Sequence, residues 1–277
     1  MNSVKVGFLG PKGTFSNKAA LLAKPDAIHI SLPTLAAVVE AIESHQVNLG
    51  LLPIENSTNG SVIPAYDLLK YNKDIVVLDE ILVPVHHCIV GHSLNNANRL
   101  LSHPQAFGQC TKWIKDNLPG VTAVPVNSTS HAAEIASNDQ TGSTLAISSQ
   151  FCADAYNYKV LVKDVEDDQN NCTRFLLLTS RVSNTIPIAP ECTREKKTFL
   201  QFTVSHTKKL NYIFQMLLQE NSAFTNLVTR PSCQNPWTYV YFIECVGLSQ
   251  TLLLRIESVC DEFSFMGSYE NKTTKVV

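Results

Sequence analysis

No stretch of this chain reaches the ~18 consecutive apolar residues that a membrane-spanning helix needs. No two of its 8 cysteines stand in C-x-x-C spacing, which removes the simplest zinc or thioredoxin-like reading. An excess of charge is missing too. With 22 Lys+Arg against 24 Asp+Glu the net charge is −2, so charge offers nothing to a nucleic acid or a membrane surface. A small anionic ligand would need a local cation or helix N-termini instead. The opening "MNSVKVGFLG" lacks a basic segment followed by an apolar run, and the expectation is a cytoplasmic protein with reduced thiols.

Several familiar chemical motifs are absent as well. Gly7, Gly10 and Gly13 are spaced G-x-x-G-x-x-G rather than G-x-G-x-x-G, and the next strand, "AIHIS", ends without an acid for a ribose. No G-x-S-x-G nucleophile elbow occurs. His86, His87 and Cys88 are adjacent, and neighbouring strand side chains point to opposite faces, which argues against a shared metal.

What is present is ample core material: 44% of the 277 residues are hydrophobic and 17% charged. That suits one large or two ordinary domains. Residues 4–71 alternate strand and helix patterns three times, which predicts a mostly parallel α/β sheet. Two apolar strand runs at 74–91 mark a crossing into a second lobe, where the pattern repeats: a helix at 105–118, strands at 121–126, 143–149 and 159–165, and helices at 128–138 and 150–158. "TRFLLLTS" (173–180) is the last strand, taking the chain back to the first lobe. After a proline-broken stretch, residues 198–271 read β-α-β-β-α-β, the ferredoxin-like order.

Polar residues gather at the predicted strand ends: Thr14 and Ser16; Glu55, Asn56 and Ser57; His103 and Gln105; Ser128 and Thr129; Asn171, Thr173 and Arg174. Each one alone is an ordinary cap or turn residue. Five such clusters fit a ligand cleft beyond the carboxyl ends of the strands. Glu55 is the acid–base candidate, and Arg174 carries the planar fork that suits a carboxylate. Cys172 has no obvious activating neighbour.

Six stretches in order, "FLGPKGTFS" (8–16), "LLPIENSTNGSV" (51–62), "SHPQAFGQC" (102–110), "NSTSHAA" (127–133), "LAISSQFCADAYN" (145–157) and "NNCTRFLLL" (170–178), resemble the prephenate dehydratase family. "RPSCQNPWTYVYFIECVG" (230–247) and "FMGSYEN" (265–271) resemble the ACT regulatory domain that follows the catalytic domain there. The resemblance implies a two-lobed, periplasmic-binding-protein-like catalytic domain over 1–182, with lobe one at about 1–80 plus 160–180 and lobe two at about 81–159. A linker over 183–196 and an ACT-like domain over 197–277 would follow.

The implied reaction is decarboxylative dehydration of prephenate to phenylpyruvate, on the branch toward phenylalanine. Aromatisation drives it, so neither a metal nor an organic cofactor is implied. Positioning and hydrogen-bond donors would carry the work. By the family pattern Thr173 donates to the leaving hydroxyl, Arg174 binds a substrate carboxylate or orients Thr173, and Glu55 shares the catalytic cleft. Asn56, Ser57, Gln105, Thr14, Ser128, Thr129 and Asn171 complete the substrate shell. The resemblance also implies a homodimer or homotetramer.

The second domain departs from the family. Lys208-Lys209-Leu210-Asn211 stands where a Gly-Ala-Leu turn is expected, and Val228-Thr229-Arg230-Pro231 where Glu-Ser-Arg-Pro is expected. Leu210, Asn211, Thr229, Arg230 and Pro231 would thus form a degenerate phenylalanine site, and the expectation is weak or lost feedback. Two rival readings stand beside the first: arogenate dehydratase, a sister activity on nearly the same cleft, and a non-catalytic solute-binding protein.

Overall fold

Three sheets carry the chain. The computed structural model describes residues 3–181 and 196–273; apart from Lys196, the expected linker lies outside the described residues. The first sheet holds β1 (Lys5–Leu9), β2 (Ile28–Leu32), β3 (Leu49–Asn56), β4 (Gly60–Ser61), β5 (Ile75–Pro84) and β11 (Cys172–Ser180), with α1 (Phe15–Ala23), α2 (Leu35–Glu43) and α3 (Ile63–Tyr71) between its strands. Its order is β2-β1-β3-β11-β5, with β4 paired to β3. The second sheet has β6 (Cys88–Gly91), β7 (Arg99–Ser102), β8 (Thr122–Pro125), β9 (Thr144–Ser148) and β10 (Val160–Val162) in the order β10-β6-β9-β7-β8. Its helices are α4 (Pro104–Gln109), α5 (Thr111–Asn117), α6 (Thr129–Asn138) and α7 (Gln150–Tyr156). The third sheet, β12 (Lys196–Thr203), β13 (Ala223–Pro231), β14 (Tyr239–Val246) and β15 (Glu262–Glu270), has the order β13-β14-β12-β15. With α8 (Thr207–Gln219) and α9 (Gln250–Val259) it makes the expected ferredoxin-like β-α-β-β-α-β unit.

Local chemistry explains the boundaries. Thr14, Thr34, Ser128, Ser149 and Ser249 each accept a backbone N–H of the first helical turn, a cap worth about 1 kcal/mol. The single helix expected over 105–118 is two helices. Cys110 leaves helical geometry at φ −124°, ψ 25°, and the Asp167 carboxylate takes the N–H groups of Thr111 and Lys112, each at 3.0 Å, starting the chain afresh. The strand expected over 159–165 stops at Val162, because Asp164 turns left-handed at φ 55°. β10 pairs with β6 in the second sheet, so the chain returns to the first sheet only at β11, not at 160.

The sheets are more mixed than expected. β1 is parallel to β2 and β3, but β11 runs antiparallel to both β3 and β5. That reversal matters for the site: it brings the start of β11 to the carboxyl ends of β3 and β5. Cys172 stands opposite Pro84, and Thr173 opposite Asn56 and Val83.

The first sheet is buried on both faces. Phe175, Leu177, Ile81, Val83, Leu49 and Leu51 pack toward α1 residues Ala19 and Ala20. Leu176, Leu178, Leu52 and Ile54 pack on the other face with α2, with Tyr66 and Leu69 of α3, and with Phe199, Phe242, Met266 and Tyr269 of the third sheet. The C-terminal unit therefore shares a continuous core with the first sheet. Its far face is closed by α8 and α9 around Leu200, Phe202, Ile243, Leu217 and Ile256. Gly267 of β15 comes so close to β5 that a Cβ there would lie 2.1 Å from the Val77 carbonyl oxygen.

Candidate active site

Asn56, at the end of β3, organises the entrance of β11. Its Oδ1 accepts the backbone N–H groups of Thr58 (3.1 Å) and Asn59 (2.9 Å). Those donors fix the orientation of the amide, so Nδ2 faces β11. From there it donates to Asn171 Oδ1 at 2.7 Å and Thr173 Oγ1 at 3.1 Å, with the Cys172 carbonyl at 3.2 Å. Ser57 closes the corner: its Oγ accepts the Cys172 N–H and its own N–H donates to the Cys172 carbonyl, both at 2.9 Å.

Two hydrogen-bond donors are left over. The Thr173 oxygen is occupied as an acceptor, and no described residue accepts the hydroxyl proton. Asn171 is 2% exposed; its Oδ1 is held by Asn56 and its Nδ2 has no partner. Buried amide donors are rarely left unpaired, and two free donors on residues that share the Asn56 amide, at the carboxyl edge of a sheet, suit an oxyanion or hydroxyl.

Arg174 and Glu55 pair with each other rather than with this group, which corrects the carboxylate-anchor half of the reading of Arg174 and not the half that has it orient Thr173. Arg174 is 4% exposed and faces the C-terminal unit. All five of its N–H donors are taken by Glu55, Glu80 and Glu244 at 2.8–3.2 Å. Burial lowers its pKa, but the charge of Glu244 and its hydrogen bonds outweigh that, so the guanidinium is held firmly charged. With no donor free, it does not anchor a substrate carboxylate. Glu55 is bound to Arg174 Nη2 at 3.0 Å. The reason is a bulge: Arg174 pairs with Glu55 while Phe175 pairs with Pro53. The extra residue puts Ile54 and Glu55 on one face and turns Asn56 over to Thr173.

The other expected residues sit at their element ends. Thr14 caps α1, donating to the Leu9 carbonyl and accepting from Asn17 N–H, so its proton is committed. Ser128 caps α6 and Thr129 opens it; in the same turn Ser130 Oγ is buried and unpartnered. Gln105 is exposed at the start of α4. No hydrogen bond links Thr14, Gln105, Ser128 or Thr129 to Thr173. The two lobes touch where the Phe15 ring meets His87 edge-on and Tyr156 Oη donates to the Lys12 carbonyl.

Sequence reasoning missed His87, Gln109, Glu80 and Glu244. His87 is 2% exposed; its Nε2 pairs with Gln109 Oε1 at 2.8 Å and its Nδ1 is unpartnered. Burial holds its pKa below the ordinary value. Glu244 interrupts an otherwise apolar strand, "YFIECVG", and Glu80 does so together with Asp79 in "VVLDEILV", and that interruption is the signal that could have exposed them. His86 and His87 do take different partners, His86 bonding Glu166 Oε1 at 2.7 Å. The ligand atoms of His86, Asp164 and Glu166 lie within 4.8 Å of one another. Glu166 is already committed, its second oxygen accepting the His87 N–H. Burial pushes the Cys172 thiol up, away from thiolate chemistry.

The candidate phenylalanine residues are dispersed. Leu210 packs into the C-terminal core, and Arg230 makes two 2.8 Å bonds to Asp67 of α3. The Pro231 carbonyl accepts from Lys70 Nζ at 2.8 Å. Asn211 and Thr229 are exposed. An open hollow of about 420 Å³, lined by Lys73, Arg181, Leu253, Glu257 and Phe265 among others, contains none of the expected site residues.

The description of the prephenate dehydratase family matches residues 6–183. This chain belongs to the prephenate dehydratase family. The bifunctional chorismate mutase/prephenate dehydratase of Stutzerimonas stutzeri is 33% identical over 279 residues, covering 96% of this chain and 73% of its own. The prephenate dehydratase of Methanocaldococcus jannaschii is 33% identical over 239 residues, 84% of this chain and 85% of its own. This family member spans 66–85% of the length of such relatives. The prephenate dehydratase of Arthrobacter aurescens, solved in complex with L-Phe, superposes with a TM-score of 0.87 at 26% identity, covering 98% of this chain and 91% of that one. Among the described residues no helix is long and apolar enough to cross a membrane.

Proposed function

We propose that this chain is a carbon–oxygen lyase that converts prephenate to phenylpyruvate, releasing carbon dioxide and water, with Thr173 as the donor to the departing hydroxyl. The observation that carries this reading is the Asn56 amide. By occupying the Thr173 oxygen as a donor, it leaves the hydroxyl proton free to point at a ligand. A threonine hydroxyl is too weak an acid to be a bulk proton source at neutral pH, so Thr173 acts as a hydrogen-bond donor or relay. As the ring carboxylate leaves as carbon dioxide, its electron pair moves into the ring and the hydroxyl departs. Thr173 O–H stabilises the charge that develops on that oxygen, and the proton completing the water arrives through it from solvent. The unpartnered Asn171 Nδ2 supplies a second donor beside it.

Substrate anchoring falls to neutral donors rather than to Arg174. The N-terminal turn of α6, opened by Thr129 and holding the unpartnered Ser130 Oγ, would offer its N–H groups to an anion. Gln105 and Ser128 belong to the same lobe. Closure of the lobes on the dianion would bring these to the Thr173 side, where exclusion of water strengthens each hydrogen bond. The C-terminal β-α-β-β-α-β unit is read as an ACT-like domain and the assembly as a homodimer or homotetramer. Arogenate, with an amine in place of the keto oxygen, is the alternative substrate. Steady-state turnover of both, followed as phenylpyruvate or phenylalanine formed, tests the proposal. A higher kcat/KM for prephenate is expected; absence of turnover on either compound defeats it.

A further inference from the structure

Thr173 and Arg174 are chain neighbours whose side chains leave β11 on opposite faces. One is at the candidate active site; the other lies under the C-terminal unit. Two carboxylates that hold Arg174, Glu55 and Glu80, belong to its own sheet. The third does not. Glu244, on β14, grips the guanidinium bidentately, Oε1 to Nη1 and Oε2 to Nη2, both at 2.8 Å. Its Oε1 also accepts from Tyr269 Oη at 2.5 Å. Glu80 in turn accepts from Lys197 Nζ at 2.9 Å and from the Lys272 N–H at 2.6 Å, both from the C-terminal unit. Glu80 is 0% and Glu244 1% exposed.

Such a buried cluster has a local purpose. β11 begins at Cys172, and its ladder to β3 is interrupted between Arg174 and Phe175. The β5 ladder runs unbroken from Cys172 to Leu177, so the break lies on the β3 side alone, next to the residue that must be placed best. A planar guanidinium clamped through five bonds, two of them to Glu55 of β3, ties that side down.

We propose that Glu244 is a positioning residue for the reaction: it holds Arg174, and through the one peptide between Arg174 and Thr173 it fixes the backbone that carries the Thr173 hydroxyl, whose proton Asn56 directs. The C-terminal unit is then a working part of the active site, one residue removed from the donor. This inference rests on the reading of Thr173 given above.

The test compares kcat and KM for prephenate in the full chain and four variants, each with its thermal midpoint. Glu244→Gln keeps shape and removes the charge. Asp67→Asn breaks the Arg230 pair, which joins the same two units at α3, away from β11. Tyr269→Phe keeps both charges and removes one hydrogen bond to Glu244. Thr173→Val reports on the donor itself. At a temperature where all are folded, Glu244→Gln should lose kcat by about tenfold or more, as small misplacements of a reacting group do, with KM within about twofold. Asp67→Asn should keep kcat within about twofold, because it loosens the docking without touching Arg174. Should Glu244→Gln not fold, Tyr269→Phe decides, with an expected loss of about two- to fivefold in kcat alone. Equal losses in Glu244→Gln and Asp67→Asn, or full kcat in Glu244→Gln or Tyr269→Phe, overturn the proposal. Full kcat in those variants alongside an inactive Thr173→Val leaves the donor assignment standing. An active Thr173→Val removes both.

Discussion

Asn56 Nδ2 lies 2.7 Å from Asn171 Oδ1 and 3.1 Å from Thr173 Oγ1, so one amide sets the direction of two neighbouring donors. Replacing Thr173 with Val keeps the β-branched shape and deletes the hydroxyl. We expect kcat to fall about 10²–10³-fold, the usual loss for one preorganised donor, with little change in KM. Thr173→Ser should retain most turnover. Near-normal kcat in Thr173→Val would remove Thr173 from the mechanism.

Asn56→Asp tests the direction of the proton. The carboxylate can still accept from Thr58 and Asn59, but it has no N–H for Thr173. The Thr173 hydroxyl would then turn its proton inward onto the new acceptor. We expect kcat to drop about 10–10²-fold, and Asn56→Ala, which leaves the hydroxyl free to rotate, to lose less. The opposite ranking would show that Asn56 does not orient Thr173.

The strands, the β-α-β-β-α-β unit and the Thr173–Asn171 corner were legible because they follow from period-two patterns and from where strands end. Alternation sets Cys172 aside from Thr173, and it sets Arg174 aside equally, since 172 and 174 share a face. Glu55 was harder to read. Strict alternation along "LGLLPIE" places it with Leu49 and Leu51 on the α1 face, and only the bulge at Ile54 turns it to Arg174. A bulge depends on the partner strand and leaves no pattern in one segment. The same holds for the shared core: "YVYFIECVG" shows a buried acid, but its cation is 70 residues away in sequence.

Gly267 shows how tightly the C-terminal unit is docked. Its φ of +149° disfavours an L side chain, and a Cβ would meet Val77 backbone oxygen at 2.1 Å. A backbone atom cannot rotate away, so β15 must lift from β5. Gly267→Ala should destabilise by about 1–3 kcal/mol, read as a lower urea midpoint. An unchanged midpoint would mean the contact is looser than this geometry.

Phenylalanine should be a weak effector. Val228 stands where the family pattern has a carboxylate, and it is 9% exposed within the core shared with the first sheet. Arg230 is already paired with Asp67. Turnover should be insensitive to micromolar phenylalanine; strong inhibition there would overturn this expectation. Introducing the carboxylate by Val228→Glu should not create feedback. It should instead destabilise the chain by several kcal/mol, because an unpaired charge would enter an apolar contact.

Acid sensitivity should come in part from histidine. Burial is the largest influence on His87 and the one cause acting on His103, and both are held below the ordinary value, which is about 6.5. His87 also has the Gln109 hydrogen bond, the Glu166 charge and the Ser148 backbone raising its pKa and the His86 charge lowering it; the net direction is still down. The unfolded chain therefore binds protons that the folded chain refuses. Stability is complete above the unfolded value and falls as pH drops from about 6.5 toward the depressed folded value, with a limiting slope of about 1.4 kcal/mol per pH unit for each group. His87→Gln removes one of these groups. Urea unfolding at several pH values from 7.5 to 5.5 should give a shallower loss in the variant than in the parent chain. Identical slopes would show that His87 is protonated as easily in the folded protein as in the unfolded one.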